Sequence, residues 1–193
     1  MGTPAEIQSK RPRRSSYTER FEASLPYRYR EAVADHLGIV GWLREQAERA
    51  ARDEPMSTGL LLRGPAGRGK TWQMFGAGRA LTAQGHWVAW AFVPDLLHDL
   101  RPGGPRAHPG GMDDLYTADV VLLDDLCAHK SSEWAEAELD VLIDRRWRDE
   151  RPCIITTNVK AGGMGDALGE RIASRLAGMC KPVHIDGPDR RRP

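Results

Sequence analysis

The stretch RGPAGRGKTW (Arg63–Trp72) sets three glycines around one lysine and one threonine, a composition that suits neither a helix nor a strand. Gly64, Pro65, Ala66, Gly67, Arg68, Gly69, Lys70 and Thr71 fit G-x-x-x-x-G-K-[ST] in full. Glycine lets backbone N–H groups turn inward around phosphate oxygens where a Cβ would block the approach. A helix starting at Gly69 or Lys70 adds its positive N-terminal end. In this reading Lys70 reaches the β- and γ-phosphates of a nucleotide, and the Thr71 hydroxyl coordinates Mg²⁺.

The flanks agree with a phosphate loop. GLLLRG (Gly59–Gly64) reads as a short buried strand, and the helix after the loop runs through Leu81 and stops near Gly85. Ahead of the strand, Val33, Leu37, Val40, Leu43, Ala47 and Ala50 step by three or four, which predicts a first helix buried on that face. HWVAWAF (His86–Phe92) reads as a second strand, with Trp87 and Trp90 as core or sheet-face residues. RPGGPRAHPGGMDD (Arg101–Asp114) lacks periodicity and is full of breakers, so a loop is expected.

DVVLLDDL (Asp119–Leu126) is a third strand, buried by its unbroken apolar run. Ser131–Glu150 predicts a helix with Ala135, Leu139, Leu142, Ile143 and Trp147 on one face. Ser132 is its N-cap, and Pro152 ends it. CIITTN (Cys153–Asn158) is a fourth strand. A short helix around Asp166–Leu176 and a last strand, PVHID (Pro182–Asp186), close the chain. Strands alternating with helices imply an α/β fold with a parallel sheet covered on both faces.

With 193 residues, the chain has room for one domain with a proper core. A hydrophobic share of 40% and a charged share of 28% are those of a soluble globular protein, and the net charge of +1 excludes no partner class. Basic runs stand at both ends, KRPRR (Lys10–Arg14) and DRRRP (Asp189–Pro193), either as solvated tails or as contacts to nucleic-acid phosphates. Residues 1–29 read as a basic, disordered tail and residues 30–193 as the domain. Cys127, Cys153 and Cys180 form no CxxC spacing and leave an odd count, which suits free thiols in a reducing compartment. No run approaches the roughly 20 apolar residues of a membrane span, and the N-terminus lacks a signal-peptide core. A cytoplasmic protein without a membrane partner is expected.

Three further residues carry chemistry. Asp124 emerges at the C-terminal end of its strand, where open α/β sheets place their ligands, and can hold the Mg²⁺ shell. Asp125 points elsewhere and either orients or deprotonates an attacking water, or caps the local turn. Asn158 ends the next strand. Its amide can donate to a γ-phosphate and accept from the lytic water, or simply make a turn.

These motifs together resemble an AAA+ ATPase of the DnaC/IstB group, the helicase-loader and transposition-helper ATPases of bacteria and phages. The likeness runs from about Leu25 to Arg191. LPYRYREA (Leu25–Ala32) resembles the lead-in of that group, VVLLDDL its Walker B strand, and LDVLIDRRW followed by CIITTN its helix and sensor-one strand. LGERIASRL (Leu168–Leu176) and GPDRR (Gly187–Arg191) resemble its closing motifs.

The resemblance implies a P-loop NTPase three-layer sandwich with a mostly parallel five-stranded sheet, its C-terminal helical lid absent or vestigial. It implies ATP and Mg²⁺ as cofactors. Lys70 and Thr71 match Walker A, Asp124 and Asp125 match Walker B, and Asn158 matches sensor one. Arg175 matches an arginine finger inserted into a neighbour's site, with Arg171 the lesser candidate, and Arg191 matches a sensor-two-like arginine. A finger acting in trans implies a ring or open spiral with head-to-tail interfaces. Single-stranded DNA and either a replicative helicase or a transposase are the implied partners.

The short basic N-terminal segment departs from the separate N-terminal domain usual in helicase loaders of the group. Arg101, Arg106 and His108 offer the Arg101–Asp114 segment either a DNA contact or an ordinary surface loop. Two other readings stay open: a small nucleotide or metabolite kinase, and an ATP-dependent assembly protein with negligible turnover.

Overall fold

The computed structural model describes residues 16–101, 111–127, 133–160 and 162–189. Its five strands are β1 (Gly59–Arg63), β2 (Val88–Phe92), β3 (Val120–Leu126), β4 (Cys153–Thr157) and β5 (Cys180–His184). They lie in the order β2-β3-β4-β1-β5, and each neighbouring pair is parallel. Successive side chains of a strand point to opposite faces, so the apolar strands feed two cores. Leu60, Leu62, Val120, Leu122 and Ile154 face one layer, while Leu61, Val121, Leu123 and Ile155 face the other.

The first layer holds α1 (Tyr17–Ser24), α2 (Leu37–Ala51) and α3 (Lys70–Ala83). The second holds α4 (Val93–Leu100), α5 (Gly111–Thr117), α6 (Glu133–Arg148), α7 (Met164–Leu168) and α8 (Glu170–Met179). This is the expected three-layer α/β sandwich. No helix follows β5 among the described residues. None of the described helices is long and apolar enough to cross a membrane.

The loop-following helix behaves as expected. α3 begins at Lys70 behind Gly69, and ends with the Gly85 N–H on Thr82 O and the His86 N–H on Leu81 O. It is buried nearly all round. Gly78 is the point where the Phe21 ring of α1 rests on it, and a Cβ there would meet that ring.

Several expectations are corrected. The tail predicted through residue 29 is folded from Ser16 onward, because Phe21 and Leu25 bury themselves against α3 and the sheet while Tyr17 joins the core of the other layer; residues 1–15 lie outside the described residues. α2 starts four residues later than Val33 and turns Ile39, Trp42, Leu43 and Gln46 inward, leaving Leu37 87% exposed. Trp42 decides the rotation, since its Nε1 donates to Thr58 O at 2.7 Å while its ring fills the core. α4 had no forecast, and residues 111–117 of the expected Arg101–Asp114 loop and the turn after it are helical. The single helix forecast over Asp166–Leu176 is two, broken at Gly169 with φ 82°. On α6, Arg146 takes the buried place and Trp147 stays 47% exposed. Ser132, the forecast N-cap, lies outside the described residues.

Cys153 and Cys180 are buried and Cys127 is half-buried, all as free thiols. Burial pushes the Cys127 thiol up to about 11, consistent with inert packing residues.

Candidate active site

The loop from Gly64 to Thr71 joins the C-terminal end of β1 to the N-terminus of α3, at the edge where β3 and β4 also end. Gly69 adopts φ 88°, a left-handed conformation that costs glycine little and lets the chain turn directly into the helix. No side chain caps that N-terminus, so its backbone N–H groups remain available to an anion. Lys70 is 7% exposed, yet its cation is fully engaged. Its Nζ donates to Gly64 O at 2.8 Å, to Pro65 O at 2.9 Å and to Asn158 Oδ1 at 2.7 Å.

The carboxylate pair is aimed by an irregularity of the sheet. Leu123 pairs with Ile155 but Leu126 pairs with Thr157, so β3 fits an extra residue between these points. Asp125 takes φ 59°, uncommon outside glycine. Together the bulge and the left-handed residue bring both carboxylates to one cavity, where alternation alone would separate them. Asp125 therefore does not point away from Asp124, as expected from the sequence, but lines the same space.

Asp124 is 4% exposed and accepts from Thr71 Oγ1 at 2.9 Å and Thr156 Oγ1 at 2.6 Å. Burial raises its pKa above the ordinary carboxylate range, against the lowering effect of those two hydroxyls. The charge of Asp125 raises it further and Lys70 lowers it. The Asp125 N–H donates to Thr156 Oγ1 at 2.8 Å, and its Oδ1 accepts from Asn158 Nδ2 at 3.1 Å. A continuous chain thus runs from the Lys70 cation through the Asn158 amide to the Asp125 carboxylate.

The cavity has a volume of about 580 Å³, and besides these groups Arg28, Tyr29 and Trp72 face it. Its donor set fits Mg²⁺. A threonine hydroxyl and a single carboxylate, adjacent and oxygen-only, are what this ion takes from a protein when substrate phosphates supply further ligands. Among the described residues there is no cluster of three or more His, Cys, Asp or Glu for a metal, and this mode of binding needs none.

Sequence reasoning therefore finds Lys70, Thr71, Asp124, Asp125 and Asn158 in one place. It missed Thr156, which bonds to both aspartates and shares a strand face with Asn158 two residues on; that i, i+2 spacing was the available signal. In the sequence Arg28 and Tyr29 stand out only as part of the LPYRYREA lead-in. Arg68 donates to Gly187 O, tying the loop to the segment after β5.

Arg175 is not brought to this cavity. It pairs with Asp140 at 2.7 Å and Asp144 at 2.5 Å, both on α6, and its guanidinium lies 5.8 Å from the Trp147 ring centre. Arg171 reaches Asp140 at 3.3 Å and stays largely exposed. Arg191, Arg106 and His108 lie outside the described residues, and Arg101 stands just past the end of α4.

No protein-family model matches the chain. Among curated proteins it is similar to the replicative helicase loader DnaI of Bacillus subtilis (strain 168), 22% identical over 149 residues, covering 70% of this chain and 48% of that protein. It is 34% identical over 101 residues to a protein of insertion sequence IS1162 from Pseudomonas fluorescens that is named for ATP binding, covering 52% of this chain and 43% of that one. The chain spans about half the length of the curated relatives it matches. Among solved structures, that of DnaI superposes with a TM-score of 0.71 at 22% identity, covering 89% of this chain and 99% of the other. That of the DnaC helicase loader gives 0.69 at 21% identity, covering 83% and 100%. These structural likenesses establish the fold. Alongside the phosphate loop, the aspartate pair and the strand-end asparagine, the chain is thus similar in sequence both to a helicase loader and to an insertion-sequence protein named for ATP binding.

Proposed function

We propose that this protein is an ATP-driven switch acting on DNA, an ATPase that loads a replicative helicase or assists a transposase. The observation that carries the reading is the convergence of three strand ends on one cavity, with Lys70, Thr71, Asp124, Asp125, Thr156 and Asn158 hydrogen-bonded to one another. The names of the relatives supply the DNA process.

The bonding pattern suggests how binding and turnover are linked. Lys70 gives up acceptors in its own chain when a phosphate oxygen arrives, and the Asn158 amide is the partner most easily exchanged because it is a side chain. Asn158 is then free to reorient toward the γ-phosphate and the attacking water, and Asp125 loses the amide that holds its Oδ1. A free Asp125 carboxylate can orient or deprotonate that water. Thr71 and Asp124 would hold Mg²⁺, which neutralises charge on the phosphate oxygens.

Self-association is part of the same proposal. Val141 is 52% exposed and Trp147 47%, both on α6, and the Trp147 ring lies under Arg175; on the opposite layer Tyr27, the chain neighbour of the cavity's Arg28, is 86% exposed and Leu37 87%. Apolar groups left in water on two different faces suit a head-to-tail contact, in which Arg175 or Arg171 of one copy completes the site of the next. Arg175 then exchanges its ion pairs with Asp140 and Asp144 for phosphate oxygens. Arg191 acts on the nucleotide of its own chain.

The test is steady-state phosphate release at increasing protein concentration, with and without single-stranded DNA. A rate per chain that rises with both supports the switch. ATP-dependent assembly without phosphate release would instead favour a cementing role, a reading to which the intrachain pairing of Arg175 lends some weight. Transfer of phosphate to a nucleoside or metabolite would replace both with a kinase. Co-purification with a helicase or a transposase in the presence of ATP separates the two DNA roles.

A further inference from the structure

The sheet ends on β2, which pairs with β3 alone among the described strands. The Val120 N–H donates to the Trp87 carbonyl at 3.2 Å, so by alternation Trp87, Ala89 and Ala91 turn their backbone groups toward β3. Val88 and Trp90 turn theirs outward, as on any edge strand.

A groove of about 390 Å³ runs along this edge. One wall is α1, where the Trp90 Nε1–H donates to Ser24 Oγ at 2.9 Å. The other wall is α4 and α5, which bring Asp95, Asp99 and Asp114 to the groove. Arg20 of α1 pairs with Asp114 of α5 at 2.7 Å, and this exposed pair reaches from one wall to the other. Among the described residues lining the groove, Asp95, Asp99, Asp114 and Arg20 carry charge, over an aromatic and aliphatic floor.

We infer that this groove docks an extended, lysine- or arginine-bearing segment of a partner protein, which adds to β2 as a further strand. Edge addition takes affinity from main-chain hydrogen bonds and selectivity from alternate side chains. The outward groups of Val88 and Trp90 supply the first. The floor receives the apolar side chains, and the excess of carboxylates receives the cations between them. Arg20 is the built-in competitor. An incoming cation takes its place on Asp114, so the ion pair opens only for a segment of the right charge. The nucleotide cavity plays no part, so the inference stands or falls separately from the proposed ATPase.

The experiment is fluorescence anisotropy on the full chain with a fluorescein-labelled peptide of alternating valine and lysine. Controls are the valine–glutamate counterpart and a valine–lysine peptide N-methylated at alternate residues. The lysine peptide is expected to bind, the glutamate peptide not to, and N-methylation to abolish binding. Asp95→Asn/Asp99→Asn, with an unchanged circular dichroism spectrum, is expected to weaken binding about tenfold. Arg20→Ala is expected to tighten it by removing the competitor. Equal binding of the two charged peptides, or binding indifferent to both variants, overturns the inference. Binding seen only after deletion of residues 1–14 would make the occupant this chain's own segment and overturn the partner. Self-association abolished by the aspartate double variant would make it a second copy, with the same result.

Discussion

Arg146 is 0% exposed, and every one of its guanidinium nitrogens donates. Nη1 reaches Leu115 O at 3.0 Å and Ala118 O at 3.1 Å, Nη2 reaches Asp119 O at 3.4 Å and Pro152 O at 2.8 Å, and Nε reaches Cys153 Sγ at 3.3 Å. One side chain therefore stitches the end of α5 and the entries of β3 and β4, the strands whose far ends carry Asp124, Asp125 and Asn158.

Arg146→Met keeps most of the stem and removes all five contacts. Two of the carbonyls retain another donor: Pro152 O still accepts from the Val121 N–H at 3.3 Å, and Ala118 O from Arg151 at 3.3 Å. Leu115 O and the half-buried Asp119 O each lose the guanidinium contact, at about 1–3 kcal/mol where no other donor replaces it. Relief of a desolvated charge offsets part of this, so a net loss of about 3 kcal/mol is expected. For a chain of this length that lowers Tm by roughly 6–12 °C. Arg146→Lys is expected to be almost as damaging, because an ammonium donates from one point and cannot fork across two strands. Urea unfolding followed by circular dichroism measures the loss. An Arg146→Met protein within about 0.5 kcal/mol of wild type, the range of an ordinary surface change, would refute the reasoning.

Lys70→Ala should weaken binding of a fluorescent ATP analogue about ten- to a hundredfold, from lost charge-assisted hydrogen bonds to phosphate; unchanged affinity would remove the loop assignment. Asp125→Asn should bind ATP normally and hydrolyse it at least about a hundredfold more slowly, and retained turnover would leave Asp125 as a turn residue. Asp124 is held above its unfolded pKa by burial, so the folded state takes up its proton more readily than the unfolded one. Its ionised form therefore costs stability at neutral pH, a cost relieved as pH falls through the raised pKa. Asp124→Asn should accordingly raise the nucleotide-free Tm at neutral pH by more than at acid pH, while abolishing Mg²⁺-dependent turnover; a Tm gain that does not depend on pH would deny the shift. Arg175→Ala should bind ATP but hydrolyse poorly, and mixing it with Lys70→Ala should restore some rate through hybrid interfaces. No rescue at any ratio would argue against a finger acting in trans.

Local chemistry made much of this protein legible. The glycine loop, the two unbroken apolar runs ending in Asp124-Asp125 and Thr157-Asn158, and their alternation with helices suffice for a parallel sheet with its site at the strand ends. Such features depend on neighbours within a few residues, and period and spacing record them faithfully. What the tertiary structure decided depends on partners far along the chain. The bulge that turns Asp125 into the same cavity as Asp124 exists only because β3 and β4 lose register between Leu123 and Leu126. The folding of residues 17–24 depends on Phe21 finding Gly78, 57 positions away, and helical periodicity cannot see such a surface. Arg146 and Arg175 look alike in sequence, two arginines on helices. Backbone carbonyls bury one, and two aspartates and a tryptophan hold the other half-buried between α6 and α8, because a charge takes its role from whatever distant groups the fold sets around it.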